Sequence, residues 1–270
     1  MAMSREDILR ELELLPAWKL REPMLVTKVE SAKTEILSAP PVIEMPEPFE
    51  RVETIETVEM LAESTIKPAE QEEKITLFEE RANAIKQMDW QALQSCVSDC
   101  QACNLVATRT QTVFGVGDAN ADWLIVGEAP GAEEDSKGEP FVGQAGKLLD
   151  NMLAAIKLKR GENVYIANVL KCRPPENRDP HGEEVLECDP FLKRQVELIK
   201  PKLIIALGKF AAQSLLQSEN TIASMRGQLH KYNDVPVIVT YHPAYLLRNL
   251  ADKAKAWEDL CFARKTMQSL

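Results

Sequence analysis

The sequence predicts an α/β fold: three layers, α/β/α, around a central, mainly parallel four-stranded sheet, with a flexible N-terminal extension. Three observations predict it. Four short β-branched or aliphatic runs recur after residue 120 and read as buried parallel strands. Stretches with helical apolar spacing separate them through short connections, which argues for a sheet covered on both faces. The N-terminal third, in contrast, is acidic and proline-rich, with little sustained periodicity.

The elements follow in order. Ser4-Arg5-Glu6-Asp7 has the form of a capping box and precedes Ile8, Leu9, Leu12 and Leu15 at helical spacing. That pattern stops after Pro16-Ala17-Trp18. From about Leu25 to Glu72 the chain is rich in Glu and Pro (Pro40-Pro41, Pro46, Pro48, Pro68), the composition of a flexible tether. A helix is expected over Glu73–Cys96, carrying Ile75, Leu77, Phe78, Ala82, Ile85, Met88 and Leu93. Strands are expected near 123–127, 164–169, 203–207 and 237–241, and helices near 145–157, 183–199, 208–217 and 250–268. No internal repeat is evident. The expected organisation is an amphipathic docking peptide over 1–24, an acidic linker over 25–72 and one α/β domain over 73–270.

Composition sets bounds on function. With 270 residues, 45% hydrophobic and 27% charged, the chain is a globular protein. No apolar run reaches the roughly 20 residues of a membrane span, and the N-terminus lacks the apolar core of a signal peptide. A cytoplasmic location is therefore expected, where six cysteines suggest metal before disulfide. The net charge of −10 is uneven: residues 1–85 hold 10 Lys/Arg against 19 Asp/Glu. The remaining 22 and 23 nearly cancel, so residues 86–270 are compatible with a nucleic-acid partner if their basic residues cluster.

Two loops stand out. Gly127-Glu128-Ala129-Pro130-Gly131 follows Trp123-Leu124-Ile125-Val126, and Tyr241-His242-Pro243-Ala244-Tyr245-Leu246-Leu247-Arg248 follows Val237-Ile238-Val239-Thr240. Both leave strand C-termini, the edge where open α/β sheets bind ligands. A carboxylate and a histidine then face one crevice.

Four cysteines form a third feature. Cys100-Gln101-Ala102-Cys103 is a tight C-x2-C pair, whereas Cys172 and Cys188 have fifteen residues between them. A structural zinc site usually takes two tight pairs, and four thiolates from loops suit a 4Fe–4S cluster at least as well. Spacing alone leaves both open, together with unconnected thiols. Cys96 reads as packing, and Cys261 as a buried free cysteine.

Taken together, these stretches resemble the uracil-DNA glycosylase superfamily, most closely its family 4 iron–sulfur enzymes. The likeness is carried, in family order, by Cys100–Leu105, Phe114-Gly115-Val116-Gly117, Gly127–Gly131, Glu139-Pro140-Phe141-Val142-Gly143, Tyr165–Pro175 and the His242-Pro243 loop. It covers about residues 95–250. The resemblance implies a 4Fe–4S cluster on Cys100, Cys103, Cys172 and Cys188, and uracil-containing DNA as substrate. It implies Phe141 as the aromatic that stacks on a flipped base, where the alternative is ordinary core packing. Asn168 is implied as the amide that reads uracil, an amide offering donor and acceptor together; the alternative is a turn cap. His242 is implied to donate to uracil O2 as charge builds on the leaving base.

Gly127, Ala129 and Gly131 let the backbone approach that base. Glu128 is a catalytic candidate, but a related branch carries its water-activating Asp one position later, where this chain has Ala129. Water is then positioned by Glu128, by backbone groups or by an acid of Glu133-Glu134-Asp135. Leu246 is the expected apolar wedge for the gap left by the flipped base, with Arg248 on phosphate; the alternative buries these leucines in a final helix. Lys171, Arg173, Arg178 and Lys209 are further candidates for phosphate contact or for plain surface charge.

Leu9–Pro23 falls outside this pattern. It resembles the N-terminal chi-binding peptide of the psi subunit of bacterial clamp loaders, mainly at Arg5, Leu12, Trp18, Leu20, Arg21 and Pro23. That likeness implies docking to the chi subunit through Trp18, Leu20 and Arg21. Two functions are therefore expected: a DNA repair glycosylase that removes uracil, or a psi-like replisome adaptor on a glycosylase scaffold with weak or no activity.

Overall fold

The structure, a computed structural model, describes residues 68–270. The docking peptide with Trp18, Leu20 and Arg21, and the linker up to residue 67, lie outside the described residues. The first helix, α1 (Pro68–Lys86), begins slightly before the expected Glu73. It does not run on to Cys96, because Asp89 Oδ1 accepts the Ala92 amide at 2.8 Å and starts a second helix, α2 (Trp90–Ser98). A short 3-10 turn follows at Asn104–Ala107.

The sheet has six strands rather than four. They are β1 (Val116–Gly117), β2 (Trp123–Gly127), β3 (Val164–Asn168), β4 (Leu203–Leu207), β5 (His230–Tyr232) and β6 (Val235–Thr240), in the order β1-β3-β2-β4-β6-β5. The four expected strands form the parallel centre, and β1 and β5 pair antiparallel at the edges. Every residue of β2, β3 and β4 is buried, as strands covered on both faces require.

Helices follow on each face. After β2 come the short α3 (Ala132–Lys137) and α4 (Gln144–Ala155), whose Leu148, Leu149, Met152 and Leu153 repeat at helical spacing against one face. After β3 comes α5 (Gly182–Ile199), and after β4 come α6 (Lys209–Leu216) and α7 (Ile222–Met225). Leu192, Val196, Ala211, Ala212 and Leu215 cover the opposite face. The last helices are α8 (Pro243–Arg248) and α9 (Lys253–Met267), the latter returning to the α4 face through Ala256, Leu260 and Ala263.

The connection from β2 therefore leaves to one face and that from its neighbour β4 to the other. Such a switch opens a crevice at the strands' carboxyl ends. A third apolar cluster (Ile85, Leu93, Val97, Leu105, Phe114, Leu170, Phe191) joins α1, α2 and α5 around the cysteines. None of the described helices is long and apolar enough to cross a membrane.

Candidate active site and cysteine cluster

A cleft of about 610 Å³ occupies the crevice. Glu128, Ala129, Gly131, Phe141, Asn168, His242 and Arg248 all line it, brought together from four loops. Gly127 does not itself line the cleft but packs behind two residues that do: a Cβ there would overlap both Asn168 Oδ1 and the Phe141 ring. The close approach thus requires glycine.

Phe141 is buried and adopts a left-handed backbone conformation (φ 55°), uncommon for an aromatic residue. Its turn is held from two sides. Arg160 donates to the carbonyls of Pro140 and Phe141, both at 2.8 Å, and pairs with Asp150 at 2.9 Å. Glu134 Oε1 accepts the amides of Val142 (2.9 Å) and Gly143 (3.1 Å), while its Oε2 accepts that of Gly131 (3.1 Å). One carboxylate therefore ties the Glu128 loop to the Phe141 loop. Strained backbone persists where surroundings over-determine it, and such places cluster at functional sites.

His242 caps α8, and its Nδ1 accepts the Ala244 amide at 3.2 Å. Burial, then the charge of Arg248, lowers its pKa to about 4. The ring is neutral near pH 7, and because Nδ1 accepts, the proton sits on Nε2. Its ring lies 5.5 Å from that of Phe141. Gly208, at φ 90°, sits so close that a Cβ would lie 2.9 Å from His242 Cβ. Behind the loop, Arg226 pairs with Asp259 (2.7 Å) and lies over Tyr241, which stacks on Tyr245.

Asn168 ends β3 and is 2% exposed, yet its Oδ1 has no partner. Buried polar atoms are almost always paired, so an unpartnered acceptor on a residue that lines a cleft points to a ligand. Glu128 is the one acid of its loop region left open to the cleft. Glu134 is consumed as described, Asp135 is buried accepting the Thr110 amide at 2.9 Å, and Glu133 pairs with Lys137. Burial, then the charge of Asp179, raises the Glu128 pKa to about 7.

Two expectations need correction. Leu246 is 1% exposed and packs in the core with α4, so it is not an apolar wedge; the helix Pro243–Arg248 turns it inward and leaves Leu247 41% exposed. Lys171 is 1% exposed and meets no solvent phosphate. Arg178 is engaged with Glu184, Arg173 donates to Asn177, Lys209 is exposed at the cleft, and Cys261 is only half-buried.

The four predicted cysteines converge on the third apolar cluster, joined by Cys96. Three N–H donors reach sulfur: the Lys171 amide to Cys188 (3.4 Å), Arg109 to Cys172 (3.0 Å) and Arg81 to Cys100 (3.7 Å). Burial raises the thiol pKa of Cys103 and Cys172, and that of Cys188 to about 12. Among the described residues no three such side chains stand close enough for a single ion. Four converging thiols with N–H donors aimed at their sulfurs nonetheless suit a sulfur-ligated centre, whose cations drive the deprotonation that burial opposes.

Sequence reasoning missed Arg160 and the bracing role of Glu134. A G-x-x-E helix start, Gly131 to Glu134, offered a signal for the second; nothing local marks Arg160.

A buried amide, an aromatic ring and a neutral imidazole around one cleft define a protein that takes in a flat, polar ring. Residues 114–261 match the uracil DNA glycosylase superfamily, and the chain belongs to that superfamily. Its likeness is to the type-4 branch. It is 52% identical over 159 residues to a type-4 uracil-DNA glycosylase of Archaeoglobus fulgidus, covering 56% of this chain and 79% of that protein. A type-4 uracil-DNA glycosylase of Saccharolobus solfataricus is 40% identical over 64% of this chain and 84% of its own length. One of Thermotoga maritima is 44% identical over 59% and 83%.

Proposed function

We propose that this protein is a uracil-DNA glycosylase that flips uracil from DNA into the cleft and hydrolyses its bond to deoxyribose, leaving an abasic site. The observation that carries the proposal is the buried, unpartnered Oδ1 of Asn168, in the same cleft as Phe141 and a neutral His242. Uracil offers N3–H as donor and O4 as acceptor, complementary to the two ends of that amide. Cytosine reverses both groups. Phe141 forms the face against which the ring stacks, and Gly127, Ala129 and Gly131 bring the backbone to its edge.

His242 Nε2–H donates to uracil O2 as the base leaves with its bonding electrons. A donor fixed where charge develops stabilises the transition state more than the ground state. The remaining oxocarbenium-like sugar needs little nucleophilic push, so Glu128 serves chiefly to orient a water and take its proton. A pKa of about 7 suits that role near neutral pH. Arg248, which lines the cleft, contacts phosphate, and the exposed Leu247 takes the place of Leu246 as the candidate wedge.

Cys100, Cys103, Cys172 and Cys188 are proposed to hold a 4Fe–4S cluster. When bound it would supply a cross-link between the loops at 100–103 and 172 and helix α5 at Cys188, not a reacting atom. The catalytic unit is the domain over 73–270, placed in the cytoplasm, where thiols stay reduced. Chi docking through Trp18, Leu20 and Arg21 rests on the N-terminal resemblance alone, and the family match, which begins at Phe114, lends it no support. Loss of chi from a pull-down with Trp18→Ala would support docking, and equal retention would remove it.

The test of the main proposal is a uracil-containing single-stranded oligonucleotide incubated with iron-replete protein and treated with alkali. Strand cleavage at the uracil is expected; an intact strand overturns the proposal.

A further inference from the structure

Lys171 is among the largest fully buried side chains of the described residues, and neither the glycosylase chemistry nor phosphate contact uses it. Its ammonium donates to the backbone carbonyl of Asn168 and to Gln195 Oε1, both at 2.7 Å. Gln195 is itself fixed through Nε2 to the Phe114 carbonyl at 2.9 Å. The backbone N–H of Lys171 reaches Cys188 Sγ, and Cys172 is the next residue. A lysine is almost never this buried unless it is paired, and here both partners of the ammonium are uncharged oxygens, one at the end of β3 and one on α5. Helix α5 carries both Cys188 and Gln195, so the sulfur site and the lysine's acceptor share one helix.

We propose that Lys171 is a positioning residue that ties the cysteine cluster to Asn168: its backbone N–H meets Cys188 Sγ, and its ammonium fastens the end of β3, from which the base-reading amide projects, to Gln195 on the helix that carries Cys188. The role rests on the proposed uracil chemistry and on a sulfur-bound cluster. Coupling of this kind is reciprocal, so uracil in the cleft must stabilise the cluster as much as the cluster stabilises uracil binding.

The experiment uses iron-loaded protein, free uracil as the probe, and two readouts. Lys171→Met, with iron content and cooperative unfolding retained, is expected to bind uracil at least about tenfold more weakly. Added to Asn168→Ala it costs little more, because both act through one amide. Saturating uracil is expected to slow chelator-driven loss of visible absorption severalfold in the wild type and not in Lys171→Met. Should Lys171→Met fail to fold, Gln195→Leu removes one acceptor and is expected to weaken both effects. Wild-type uracil affinity in the folded variant, or equal cluster protection in both proteins, would overturn the role. A wild type that releases uracil while Lys171→Met behaves identically refutes only Lys171; a wild type that releases none refutes the glycosylase reading itself.

Discussion

Leaving a buried acceptor unpaired costs about 1–3 kcal/mol, and Asn168 Oδ1 is one of two such side-chain atoms among the described residues. A fold tolerates that where a ligand completes the bond. Asn168→Ala is therefore expected to lower uracil release by about 100-fold or more without lowering thermal stability, as single-turnover kinetics and a melting curve would check. Glu128 makes a sharper prediction because its carboxyl titrates near pH 7. Its folded pKa lies above its unfolded value, so its contribution to stability is full below about pH 4.5 and lost as pH rises through about 7. Glu128→Gln should then melt above the wild type at pH 8, with the gap closing toward pH 4. As a base, the wild-type carboxylate gives a rate that climbs with pH to about 7 and levels off; the variant's profile should be flat and lower. These residues were legible because each sits in a short motif at a strand end. The roles of Arg160 and Lys171 were not, since a charged residue in sequence carries no sign of which distant partner it will reach, the Pro140 and Phe141 carbonyls for one and Gln195 for the other.

At the scale of elements, the site depends on loops locked to one another. Arg160→Ala frees two carbonyls and relaxes the left-handed turn at Phe141. A loss of about 1–2 kcal/mol in urea unfolding and a rise in KM larger than the fall in kcat are expected. Gly127→Ala should abolish activity more completely than its small size suggests, because the added methyl overlaps the amide and the ring together. The four central strands were legible as continuous apolar runs. The edge strands β1 and β5, of two and three residues, are too short for any period to declare. The break before α2 depended on a single Asp89 cap within an unbroken apolar pattern. Leu246 and Leu247 are equally apolar in sequence, and only the phase of α8 decides which is buried.

The whole molecule joins two centres through one sheet edge: a cleft at the carboxyl ends of β2, β3, β4 and β6, and a cysteine site packed against α1, α2 and α5. Purified protein should be brown and carry iron, and chelation should lower its melting temperature; a colourless, zinc-loaded preparation would contradict the cluster. The domain's class and the family's motifs were visible in sequence, whereas the convergence of Cys172 and Cys188 on Cys100 and Cys103 requires the strands β1, β2 and β3 that fold between the two pairs. The most direct test of the account compares two oligonucleotides, one carrying uracil and one cytosine at the same position, incubated with wild type and Asn168→Ala. Alkali-labile cleavage is predicted only at uracil and only with the wild type. No cleavage by iron-replete wild type, or equal cleavage by the variant, would contradict it.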